Sequence, residues 1–110
     1  MAALNLSLGA IAVDATETTA GNGRLVNVPT GTRCLIIQPR AAPVRLRVQD
    51  EASSVAVADA GAIGSAYLTI AAGTMYALRV PYRQGGWTVW VAPDSAAAVT
   101  VEYYPSPVEQ

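Results

Sequence analysis

Histidine, lysine and phenylalanine are absent from this 110-residue chain, cysteine occurs once, and charged residues make up only 14% of it. The lack of histidine and lysine and the single cysteine each remove a class of chemistry. Acyl transfer by a serine or cysteine nucleophile needs a neighbouring base to take its proton, and neither an imidazole nor an amine side chain exists to do so. The His/Cys ligand sets of zinc sites cannot be assembled from one cysteine. Gly21-Asn22-Gly23-Arg24 lacks the lysine that a phosphate-binding loop carries after its glycines, and it reads as a turn. The seven basic residues are all arginine, eight acids leave a net charge of −1, and the pI is near 5.1. A nucleic-acid footprint would instead show as a basic stripe and a high pI. No apolar run approaches the ~20 residues of a membrane-spanning helix. Residues 1–13 have no basic segment ahead of their apolar positions, so no secretory leader is expected and synthesis in a cytoplasm is. Cys34 cannot form an internal disulfide; within Cys34-Leu35-Ile36-Ile37 it is expected to be a buried, inert thiol.

What is present is apolar and β-like. Hydrophobic residues reach 52%, and folding a chain of this size buries roughly two-thirds of its unfolded surface, enough for one core in one domain. Apolar residues alternate with polar ones between turn residues from end to end, and no window keeps the spacing of an amphipathic helix. Leu4, Leu6 and Leu8 open a first strand that Ala10–Val13 could extend. Asn22-Gly23 is expected to form a type I′ turn into a strand at 24–28, and Pro29-Thr30-Gly31 a tight turn into one at 32–38. Pro39 to Pro43 breaks that strand, because each proline removes a ladder donor. Val44, Leu46 and Val48 alternate with Arg45, Arg47 and Gln49. Further strands are expected at 55–57, 66–70, 74–82, 87–91 and 97–104, with Gly85-Gly86 as a second hairpin turn. Pro105 and Pro107 are expected to keep residues 105–110 out of any sheet. The expected fold is all-β, an antiparallel two-sheet β-sandwich of jelly-roll type in one domain. Its core spans residues 24–104, residues 1–23 form a first strand or a docking arm, and residues 105–110 form an extended tail.

Few residues suggest a site. Asp50, Glu51, Asp59 and Asp94 fall in expected loops, where a glycosidase pair or a calcium site could form, but their spacing carries no signature. Solvated turn carboxylates are the plainer expectation, with no catalytic residue, cofactor or metal; calcium binding stays open. Arg45 and Arg47 share one face of a strand and could grip an acidic surface through their guanidinium forks. Trp87 and Trp90 point to opposite faces of one strand, as do Tyr103 and Tyr104 of the next. One of each pair is expected in the core and the other on a surface that a partner covers. The candidate protein interface is therefore Arg45, Arg47, Trp90 and Tyr104, together with the apolar N-terminal residues Leu4, Leu6 and Leu8.

The run Val28-Pro29-Thr30-Gly31-Thr32-Arg33-Cys34-Leu35-Ile36-Ile37-Gln38-Pro39, then Ala42 to Val48, then Gly85-Gly86-Trp87-Thr88-Val89-Trp90-Val91, resembles small β-sandwich virion proteins of tailed bacteriophages. The resemblance covers residues 24–104 and is one of pattern, so no functional residue carries over with it. It implies a non-enzymatic structural protein, foremost a head decoration or cement protein on the outer head surface. Such a protein would oligomerise, with a trimer among the states to test, and would clamp neighbouring subunits of the major capsid protein without contacting nucleic acid or membrane. A tail, neck or fibre component is the alternative within that group. A carbohydrate-binding sandwich with an exposed aromatic is the alternative outside it.

Overall fold

The computed structural model describes residues 4–15, 18, 20–49, 67–79, 87–95 and 97–108, the side chains of Gln49 and Trp87 excepted. Among these residues are nine strands and no helix: β1 (Leu4–Asn5), β2 (Ala12–Ala15), β3 (Arg24–Val28), β4 (Cys34–Pro39), β5 (Val44–Gln49), β6 (Leu68–Ile70), β7 (Tyr76–Arg79), β8 (Trp87–Pro93) and β9 (Thr100–Ser106). They form two sheets. Sheet A has the order β1-β3-β8-β5-β6 and sheet B the order β2-β9-β4-β7. All neighbours are antiparallel except the two-residue β1, which runs parallel to β3. Four of the pairings nest: β5 with β6, β4 with β7, β3 with β8 and β2 with β9. The chain is thus a double ribbon, and wrapping it brings β9 beside β4 and β8 beside β5.

Alternation fills the space between the sheets. Val26, Val28, Val44, Leu46, Val89 and Val91 of sheet A face Leu35, Ile37, Val101 and Tyr103 of sheet B, all of them buried. Short β-branched side chains suit this position because they pack flat on a pleated surface. As expected from the Tyr pair, Tyr103 is core and Tyr104 is only half-buried. Burial pushes the Tyr103 phenol pKa far up, aided by Asp14 and opposed by Arg24. Asp14 on β2 and Arg24 on β3 form a part-buried ion pair that ties one sheet to the other.

Several expectations need correction. Asn22-Gly23 is not a hairpin turn: β2 and β3 lie in different sheets, and the positive φ belongs to Gly21. Gly23 is required instead by a close approach, since a Cβ there would lie 1.9 Å from the Val91 carbonyl oxygen. The strand after Ala71 and the strand at Trp87 also fall in different sheets, so no hairpin joins β7 to β8. Gly85-Gly86 itself, the strand expected at 55–57 and the carboxylates Asp50, Glu51 and Asp59 lie outside the described residues. The core is not confined to residues 24–104 either. β1 and β2 belong to the two sheets, Leu6 is buried in the core, and β9 continues through Pro105 and Ser106 against Leu35 and Cys34.

Proline is admitted by a recurring device. In an antiparallel strand the N–H and C=O of one residue face the same neighbour. Pro39, Pro93 and Pro105 each face a side where the neighbouring strand has not yet begun. There their carbonyls accept hydrogen bonds from the N–H groups of Gly73, Gly21 and Gly9 at 2.8, 3.0 and 2.8 Å. Each of these glycines has positive φ and stands three residues before a strand, β7, β3 and β2 respectively. A missing donor costs nothing at such a position, which is why Pro105 joins a central strand.

Candidate interaction surfaces

The outer faces of the two sheets differ in chemistry. On sheet A, Asn27 donates to Asn5 across β3 and β1 at 2.7 Å. Arg45, outward on β5, donates through Nε to Asp94 Oδ1 at 2.8 Å and stacks over Tyr67 with its guanidinium 4.7 Å from the ring centroid. The bond to Asp94 raises the Arg45 pKa further and keeps the group charged. Arg45 thus clamps the turn after β8 and the approach to β6 onto its own sheet, and Asp94 is committed to that clamp. Arg47 is exposed and stands opposite Trp90 in the β5–β8 register. Trp90 is half-buried, and its Nε1 makes no hydrogen bond. Leu25, Thr88 and Ala92 share this outer face and are buried.

On sheet B the outward residues line up in rows. Tyr104 of β9, Ile36 of β4 and Ala77 of β7 form one row, and Ile11 extends it one step beyond the β2 ladder. Val13, Glu102 and Gln38 form the next, which Met75 extends one step beyond the β7 ladder. Ile11, Met75 and Val13 are 74%, 64% and 49% exposed, among the most open large hydrophobic side chains of the described chain. Between them runs a shallow groove of about 170 Å³ floored by Ile36, Gln38 and Tyr104. Glu102, the acid within these rows, accepts a hydrogen bond from Arg40 at 2.9 Å.

The candidate interface therefore divides. Arg45, Arg47 and Trp90 share the outer face of sheet A, while Tyr104 lies on the opposite side of the molecule. Leu6 is buried in the core and Leu4 is half-buried against it, whereas Leu8 is exposed in the turn before β2. Ile36 and Met75 were not singled out by the sequence, because nothing in a four-residue alternation says which face a second sheet covers. Among the described residues no group of three or more His, Cys, Asp or Glu side chains could hold a metal. Among the described residues no helix is long and apolar enough to cross a membrane.

Cys34 is fully buried against Ser106, and burial pushes its thiol pKa up while Arg79 partly offsets the shift. A thiol reagent is expected to leave the native protein unlabelled over minutes and to label one site fully in denaturant, read by mass spectrometry. Rapid native labelling would contradict this.

Compared with family models, with curated proteins and with solved structures, the chain matches none.

Proposed function

We propose that this protein is a non-enzymatic structural component of a tailed-bacteriophage virion, foremost a decoration or cement protein of the outer head surface. It acts by binding copies of itself and neighbouring capsid subunits. The observation that carries this reading is the open apolar outer face of sheet B on a chain with so few charges. An apolar patch of this kind on a small domain marks an interaction site. Of the candidate reactive groups among the described residues, Cys34 is buried and Asp94 is held by Arg45.

The strand order supports the same reading. Four nested antiparallel pairs wrapped into two sheets, β2-β9-β4-β7 and β3-β8-β5-β6, with β1 added at one edge, support reading the sandwich as a jelly roll. Viral capsid domains use that fold, although a fold alone does not assign a function. Stabilisation would follow from mass action, because a domain that binds the assembled shell and not its separated subunits shifts the balance toward the shell. Many weak contacts on a repeating lattice add through multivalency.

The test is mass spectrometry of purified particles from the source, with heads and tails separated. The chain is expected in the head fraction at a fixed ratio to the major capsid protein, and heads lacking it are expected to disrupt at lower temperature. Its presence in tails alone would favour the tail alternative. Its absence from particles, with glycan binding by a monomer, would overturn the virion reading.

A further inference from the structure

The two rows across the outer face of sheet B, one apolar throughout and one apolar at its ends with Glu102 and Gln38 between, are complementary to themselves. Imagine a two-fold axis lying on this face, parallel to the strands and midway between β9 and β4. Rotation about it lays the face on a second copy with each row against itself, reversed. Ile11 then meets the partner's Ala77 and Val13 meets the partner's Met75. Tyr104 meets the partner's Ile36, and Glu102 meets the partner's Gln38. Large faces small at one pair of corners, aliphatic faces aliphatic at the other, and the central polar pair is an amide donor against a carboxylate acceptor. Every contact occurs twice, as an isologous interface requires.

The alternative axis, across the strands, is poorer. It would press Gln38 against the partner's Ile36 and Glu102 against the partner's Tyr104 ring, burying polar groups on apolar ones. Charge is compatible with the same occupant. The carboxylate of Glu102 already holds Arg40, so the centre of the face presents no strong field and does not select a highly charged partner.

We infer that the outer face of sheet B is a homotypic interface, on which a second copy of this chain packs face to face about that axis. The inference rests on the proposed structural role and names the first partner in it. Four strands at about 4.8 Å, with five residues along each, give a flat footprint of roughly 300 Å². That is short of the ~800 Å² per partner of a standard stable interface. The dimer is therefore expected to be reversible in dilute solution and to be reinforced where copies are arrayed.

Complementation tests it with the full chain. Val13→Asp and Met75→Arg each place a charge on an exposed position, so both variants are expected to melt within a few degrees of the wild type. Each alone is expected to be monomeric at hundreds of micromolar, where the wild type associates. An equimolar mixture is expected to regain association, because Asp at 13 of one copy faces Arg at 75 of the other. A second measurement does not depend on these variants. A short bismaleimide is expected to join Gln38→Cys to Glu102→Cys in a mixture of the two single variants, more than it joins either to itself, Cys34 being buried. A monomeric wild type at these concentrations, variants that still associate, or a mixture that stays monomeric would overturn the interface. Failure of the virion reading shows elsewhere, as absence from particles while the chain still dimerises through this face.

Discussion

Gly23→Ala is expected to cost about 3 kcal/mol or more and to lower the melting temperature by roughly 10–20 °C. The added Cβ would lie 1.9 Å from Val91 O and 2.7 Å from Ala92 Cα. Both are backbone atoms of β8, a strand held on both sides by β3 and β5. No rotamer change can relieve such a clash; β3 must separate from β8 where their ladder begins. Gly73→Ala is the natural control. Gly73 has positive φ but nothing within 4 Å of a new Cβ, so its cost is the backbone strain alone, about 1–2 kcal/mol. Thermal and urea melts of the two variants are expected to rank Gly23→Ala as clearly the worse. The opposite ranking would show that Gly23 serves a turn conformation, as its Asn-Gly setting suggests from sequence.

Deleting residues 2–15 is expected to abolish cooperative folding. The deletion removes both β1 and β2, the buried Leu6 and the Asp14 partner of Arg24, and it uncovers one edge of β9 beside Tyr103. Loss of a buried leucine alone costs about 2–5 kcal/mol. Leaving Arg24 without its carboxylate and losing six ladder positions adds to a total that approaches the ~5–15 kcal/mol by which domains are stable at all. Circular dichroism and a urea titration of the truncated chain would read this directly. A truncated chain with an unchanged transition would mean that the segment is an arm that docks elsewhere.

The strands themselves were legible in the sequence, whereas their partners were not. Arg24–Val28 and Val44–Gln49 were bounded correctly by alternation and by flanking Pro and Gly. Turn residues report only that the chain reverses. In a nested ribbon most reversals carry the chain from one sheet to the other, so reading Asn22-Gly23 and the Gly85-Gly86 region as hairpins assigned neighbours that the fold places in opposite layers. The tail at Pro105 was misjudged for a related reason. Whether a proline can sit in a ladder depends on where the adjacent strand starts, and the bond from Gly9 to Pro105 spans almost the whole chain. The candidate surface was partly visible: Tyr104 stood out as an aromatic at a strand position, and Ile11 and Val13 lay in the segment that could extend the first strand, but Met75 and Ile36 gain meaning only from the rows they join. Arg45 looked available because its partners, Asp94 and Tyr67, are distant in sequence.

The central claim is that this sandwich works by assembling through an exposed sheet face. Sedimentation velocity of the intact chain from micromolar to near-millimolar concentration tests it most directly. The account predicts a sedimentation coefficient that rises with concentration, and a rise suppressed by Val13→Asp. A single 11.4 kDa species throughout that range would contradict it.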